Sequence, residues 1–312
     1  MKITIKGLWQ VLKESFSGFS NDRVLKLSAA LAYYTVFSIG PLLIVIVFLC
    51  SFFFGKDAVQ GNIYMQIQGF VGHDAALQLQ DILKNATIIG KGKIAAIIGV
   101  VTLLIGATGM FTEMQDSINI IWKIKTKPQS AIWLYIKNRL LSFGVIGALG
   151  FLLLVSLIIS GLIEALSQRL QTQFPSTTIT FFYILNLVIN FAVIAILFSV
   201  VFRVLPDAHI KWKDVMAGSV ATAFLFMLGK FAISFYIMRA KIGSTYGTAG
   251  SLVILLVWVY YSSVILYFGA EFTRAFAIKY GSPIMPNDYA VISENIEIEH
   301  DHETVQEAVH KK

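Results

Sequence analysis

The chain has 312 residues, of which 56% are hydrophobic and 14% charged, whereas about 25% of a typical globular domain is charged. This argues against a water-soluble class. The repeated apolar stretches call for a bilayer, where backbone groups must bond one another in helices or a closed barrel. The residues do not alternate apolar and polar as barrel strands do, and the net charge of +7 is spread over several loops, with no single basic patch that could track a nucleic acid.

Taken in chain order, the first segment mixes lysines with apolar residues and lacks the short apolar core and small-residue cleavage site of a removable signal. Ile5, Leu8, Trp9, Leu12, Phe16 and Phe19 recur at three-to-four spacing, with Lys6, Lys13 and Glu14 between them. That pattern predicts a cytoplasmic interfacial helix within residues 1–27. Six apolar segments follow at about 28–54, 93–122, 139–166, 178–204, 214–238 and 248–276. At about 1.5 Å per residue, each is long enough to cross about 30 Å of hydrocarbon. The predicted fold is an all-α integral membrane protein, a six-transmembrane-helix bundle over residues 28–280.

Orientation follows from lysine and arginine, which favour cytoplasmic flanks. With the amino terminus inside, seventeen fall on the inner face and seven on the outer, and Lys230 lies within the fifth segment. Both ends are therefore expected in the cytoplasm. The loop 55–92 lies outside, with enough apolar residues for a short helix or two. Residues 281–312, with Glu294, Glu297, Glu299, Asp301, Glu303 and Glu307, are too polar to build a core and are expected to form a disordered or loosely helical acidic tail.

Several residues stand out against the apolar background. In segment two, Gly99, Thr102, Gly106, Gly109, Glu113 and Asp116 share one helical stripe. It reads either as a packing seam or as a stripe ending at the inner mouth of a cavity. Glu271 reaches the same side, as do Arg139, Arg203 and Arg274, and ion pairing there would lower desolvation costs. Such a network is either structural or an inner gate with Glu113, Asp116, Glu271 and Arg203 as gating or coupling groups.

Lys230 lies about 12 Å inside the outer end of segment five, a costly place for an ammonium in lipid. It either snorkels towards Glu164 or meets an anionic group in a wet cavity. Asn186 and Asn190, one turn apart, serve as interhelical glue or as substrate contacts beside it. Pro41 removes a backbone hydrogen bond and, with Gly40, makes a kink or hinge in segment one.

An enzyme is not expected. The five histidines do not fall at ligand spacing on any predicted helix face, and there is no Walker loop, dinucleotide fingerprint or nucleophile elbow. Neither a metal nor a cofactor is expected, and the single Cys50 sits in an apolar run as a packing residue.

Three stretches carry a family resemblance: Ala29-Ala30-Leu31-Ala32-Tyr33-Tyr34-Thr35-Val36-Phe37-Ser38-Ile39-Gly40-Pro41-Leu42-Leu43; Asn119-Ile120-Ile121-Trp122; and Tyr246-Gly247-Thr248-Ala249-Gly250-Ser251 leading to Trp258, Tyr260 and Gly269-Ala270-Glu271. On these residues the chain resembles the YihY/BrkB family of bacterial inner-membrane proteins, once grouped as ribonuclease BN. The resemblance runs from about Ser15 to Tyr280. It implies six helices in a bacterial cytoplasmic membrane and suggested links to envelope transport and serum resistance.

The residues and the resemblance together point to a transporter or exporter of an anionic or amphipathic envelope compound, a lipid included, with membrane lipids as partners. The alternatives are a non-transporting membrane scaffold and, from a different class, the ribonuclease of the old family label. Metal-assisted RNA hydrolysis needs clustered histidine and carboxylate ligands on a wet scaffold, and the sequence supplies neither.

Overall fold

Long apolar runs without internal proline become three long helices in the computed structural model, which describes residues 4–38, 77, 109–127, 175–240 and 250–293. In chain order the elements are α1 (Ile5–Asn21), α2 (Val24–Ser38), α3 (residues 109–121), β1 (Ile124–Thr126), α4 (Pro175–Val204), β2 (Ala208–His209), α5 (Trp212–Ala240), α6 (Gly250–Tyr280), β3 (Met285–Pro286) and β4 (Ala290–Ile292). Helices α4, α5 and α6 have 30, 29 and 31 residues, or about 45 Å each. Within them, Ile184–Val204, Trp212–Ile237 and Leu252–Tyr280 are long and apolar enough to cross a membrane.

Among the described long helices, α6 is the most buried. It packs on α5 through small residues that let backbones approach: Gly218 lies against Thr273, Gly269 against Thr222, and Gly229 against Tyr261. Without a hydrophobic drive between helices in lipid, such close packing is what joins them. Helix α4 meets α5 at Ser199 and Ser219, whose hydroxyl oxygens lie 2.5 Å apart, and at the Phe198–Phe226 ring pair. One hydroxyl donates across this contact while the other donates to a carbonyl one turn back on its own helix, so neither is stranded in hydrocarbon.

Thr4 caps α1, accepting from the Gly7 N–H at 3.2 Å. The helix has two faces. Gly7, Val11 and Ser15 are buried, with Val11 against Ala275 and Phe276 of α6. Of the predicted apolar stripe, Ile5, Trp9 and Phe16 remain exposed at 90%, 70% and 63%. An apolar face left outside a helix that is docked by its small residues suits a helix lying in the membrane interface.

All three stretches behind the resemblance converge on α6. Ala32 and Val36 of α2 join Leu255 and Val259 in one buried cluster beside Trp258. Ile118 and Ile121 of α3 pack with Tyr267 and Ala270, and the Trp122 indole donates to the Ala270 carbonyl at 3.2 Å.

The fold is mostly helical, as expected, with two short strand pairs added at one end. Strand β1 pairs antiparallel with β4, Lys125 opposite Val291, and β2 pairs antiparallel with β3, His209 opposite Met285. The chain after α6 therefore crosses one end of the bundle in two short strands through Ser293, where a disordered tail from 281 was expected. The apolar side chains Ile284, Tyr289 and Ala290 tie it to the core, which a uniformly polar tail could not supply. Helix α2, at the start of the first predicted span, opens at Val24, because the chain breaks at Asp22-Arg23 and Arg23 adopts φ 52°. Residues 294–312 and the third predicted span, 139–166, lie outside the described residues.

Candidate functional site

The segments that follow predicted spans two, four and six meet at one end of the helices, and Asp207 is their joint. Its carboxylate accepts from Asn119 Nδ2 at 2.8 Å, Gln115 Nε2 at 3.0 Å and Tyr289 Oη at 3.1 Å. Its own N–H donates to Asn119 Oδ1 at 2.9 Å and its carbonyl accepts from the Asn287 N–H at 2.9 Å. Burial pushes this carboxyl above the usual range, and the bonds from Asn119, Tyr289 and Gln115 pull it back. Burial and the nearby Asp207 raise the Tyr289 phenol, which keeps it a donor. One side chain thus links α3, the α4–α5 connection and the strand segment after α6.

A second cluster lies where α1 crosses α6. Lys123 pairs with Asp22, and both flank residues in left-handed turns, Lys123 itself at φ 58° and Arg23 beside Asp22. Left-handed backbone is unfavourable for side chains other than glycine and asparagine, so the ion pair and its surroundings hold the turn. On α6, Glu271 is 1% exposed, and its Oε2 lies 4.0 Å from Arg274. Asp22 and Glu271 line one cleft. Two carboxylate oxygens, Asp22 Oδ2 and Glu271 Oε1, are buried without a partner.

Gly18 makes this meeting possible, because a Cβ there would lie 2.7 Å from Glu271 Cδ. Gly18→Ala is expected to loosen α1 from α6 by about 1–3 kcal/mol, the usual cost of overpacking. Faster protease cleavage within α1 of the membrane-embedded protein would register it. Unchanged cleavage would mean that Glu271 moves aside freely.

Lys123 and Arg274 stand between two clefts. The smaller, about 330 Å³, takes in Glu14, Asp22 and Glu271. The larger, about 710 Å³, is walled by Trp122, Ile124, Ile278, Ile284 and Ile292 among others, and among the described residues Lys123 and Arg274 are its charged lining groups. A cleft with apolar walls and two cations at one edge can hold a molecule with an anionic head and an apolar body.

The expected inner network forms only in part. Glu271 and Arg274 do meet, but among the described residues Arg203 makes no ion pair, and Glu113 and Asp116 lie on α3 away from that pair. Glu113 is half-buried and Asp116 exposed, and Asp116 lies near enough to Glu113 and Asp207 to feel their charge. The single network read from the sequence is therefore two groups, since α3 presents its acids towards the Asp207 joint while α6 presents Glu271 towards α1. Arg139 lies outside the described residues, as do Gly99, Thr102, Gly106, Glu164 and the hinge pair Gly40 and Pro41.

Lys230 is half-buried on α5, Asn186 is exposed, and Asn190 is half-buried. The amide of Asn190 donates to the Asn186 carbonyl at 3.0 Å and also pairs with its side chain. The Ser199–Ser219 contact sets the antiparallel register of α4 and α5. It places Lys230, eleven residues beyond Ser219, level with the stretch between Asn186 and Asn190. The three residues grouped from the sequence thus share one depth in the bundle.

Sequence reasoning overlooked Asp207, Asp22 and the pairing role of Lys123. Asp207 sits in Leu205-Pro206-Asp207-Ala208, which reads as a turn, and Asn119 is 88 residues away. The one local signal was Asn119 itself, inside a stretch already singled out for the resemblance.

A family model described as Virulence factor BrkB matches residues 15–287. The chain belongs to the virulence factor BrkB family. The match ends at Asn287, so it includes Asp22, Asn119, Asp207, Glu271 and Arg274. Similar relatives of this BrkB-family chain are named UPF0761 membrane proteins. The one from Alcanivorax borkumensis is 27% identical over 83% of this chain and 58% of its own length. Those from Pseudoalteromonas atlantica and Vibrio atlanticus are 25% and 26% identical, over 82% and 88% of this chain and 82% and 85% of theirs. The chain thus spans little more than half of the Alcanivorax relative. No solved structure matches it. The BrkB-family chain is a membrane protein, as its relatives are named.

Proposed function

We propose that this protein is a transporter that exports an anionic, amphipathic envelope compound, a lipid being the simplest example, from the cytoplasmic face of a bacterial inner membrane. The observation that carries this reading is the cleft at the end of the bundle, whose charged lining groups among the described residues are Lys123 and Arg274 and whose walls are mostly apolar. A phosphate or carboxylate head would sit against the two cations, with its chain along Ile278, Ile284 and Ile292. Basic residues concentrated on the connections at this end support a cytoplasmic placement. Lys230, level with Asn186 and Asn190, would be a second anion contact deeper in the bundle, with Glu113, Asp116, Glu271 and Arg203 as gating groups and Gly40-Pro41 as a hinge.

The test uses the full chain in proteoliposomes, loaded with a fluorescent phosphatidic acid or its uncharged diacylglycerol counterpart. Lys123→Ala with Arg274→Ala is expected to slow movement of the anionic lipid at least tenfold and leave the neutral one unchanged, while Lys230→Ala abolishes transport without preventing insertion. Equal rates in all variants would end the reading.

A scaffold without transport is the second reading, and Asp207 favours it, because a joint that ties three connections together suits a fixed assembly surface. A protein that moves neither lipid but keeps its fold would support it.

A further inference from the structure

The contact between Asp22 and Glu271 asks for something the surrounding side chains do not provide. Lys123 takes one oxygen of Asp22, and Arg274 lies at 4.0 Å from one oxygen of Glu271. The two oxygens left over, Asp22 Oδ2 and Glu271 Oε1, are both buried and have no partner among the described residues; the two carboxyl groups line one cleft, and the Glu271 carboxylate is seated against Gly18 of α1, one turn before Asp22. Two neighbouring carboxylates repel each other strongly when both are ionised in a partly buried site. A proton or a cation between them relieves that repulsion.

The composition of the cluster decides which. A metal ion wants more ligands than two oxygens, and among the described residues no group of three histidine, cysteine or acidic side chains can hold one. Two cationic side chains already flank the pair, which repels a further metal cation. A proton needs only the two oxygens. Once bound, it makes one group a donor and the other an acceptor, so both orphaned atoms are satisfied by a single charge-assisted hydrogen bond.

We propose that Asp22 and Glu271 form a carboxyl–carboxylate pair that binds one exchangeable proton. The charged groups that face it are Glu14 of α1, exposed on the rim, Lys123 at the α3–β1 turn and Arg274 of α6. With the proton in place, the two cations balance Glu14 and the one remaining carboxylate. When the proton leaves to water through the smaller cleft, the same two cations face three carboxylates and the cluster becomes net negative. Proton binding therefore favours an anion at Lys123 and Arg274, and by linkage an anion there favours the proton. This coupling, unlike the pair itself, rests on the proposed transport reading.

The pair is tested by infrared difference spectroscopy of the full chain in lipid nanodiscs, titrated between about pH 5 and 9, the range over which a paired buried carboxyl titrates. The wild type is expected to show one protonated carboxyl band at neutral pH that is lost in alkali and shifts in D2O. Glu271→Gln, which mimics the protonated acid and preserves the fold, removes it. Asp22→Asn leaves a carboxyl band at a different frequency, because its acceptor has become an amide. Absence of a wild-type band, a band indifferent to Glu271→Gln, or one displaced by sodium or potassium at constant pH would overturn the proposal. A titrating band in a protein that moves no anionic lipid would leave the proton site standing and remove the transporter. Lipid movement without the band would do the reverse.

Discussion

Asp207→Ala is expected to produce the larger of two stability losses, about 3–5 kcal/mol, the cost of removing one partner from a buried charged hydrogen-bond network. The substitution strands the amides of Gln115 and Asn119 and the phenol of Tyr289, all of which now end on this one carboxylate. It also frees β3 and β4, because Asn287 and Tyr289 both bond to Asp207. A thermal melt of the purified protein should fall steeply, and trypsin should reach Lys125 and Lys127 beside β1 once β4 no longer covers that strand. Asp207→Asn retains one acceptor oxygen and should lie between the two. A melt unchanged by Asp207→Ala would show that water takes over every bond, and Asp207 would lose its place as the joint.

The second large effect is expected at the α5–α6 contact. A Cβ at Gly218 would fall 2.9 Å from Thr273 Cα, and a backbone atom cannot rotate out of the way. Gly218→Val should therefore separate the helices or shift one along the other, at a cost of about 3 kcal/mol, the upper end for overpacking. Reversible unfolding in mixed micelles is the measurement. Ala232→Val, on the exposed side of the same helix, serves as the control and should stay within about 0.5 kcal/mol of wild type. If both variants unfold alike, the small-residue contact does not join these helices.

The fold was readable where physics acts locally. Lipid demands length and apolarity, so the runs at 178–204, 214–238 and 248–276 matched α4, α5 and α6 to within four residues at either end. The apolar stripe of α1 was equally plain, although Ile5, Trp9 and Phe16 on it stay largely exposed, while Gly7, Val11 and Ser15 made the buried docking face. Small residues give little periodic signal, so that side of α1 was silent in the sequence. Strands of two and three residues are too short to alternate visibly, which hid the order in residues 285–292.

The charged sites were readable only in part, for a different reason. Glu271 stood out because an acid in an apolar helix is conspicuous. Asp22 and Asp207 lie in connections where acids are ordinary, and only their distant partners make them unusual. Lys123 counted towards orientation but gave no sign of an ion pair reaching back 101 residues. Grouping Glu113 and Asp116 with Glu271 followed from depth alone. Depth does not say which way around the bundle a side chain points.

The strand segment after α6 also sets an order of events during synthesis. Tyr289 and Asn287 close the Asp207 joint, yet they leave the ribosome after all three long helices have been made. Until then Asp207 lacks Tyr289 and Asn287, and β1 and β2 present open edges. A nascent chain that stalls before residue 285 therefore carries a recognisable flaw, a half-finished lid that proteolytic surveillance can grip, while a completed chain hides it.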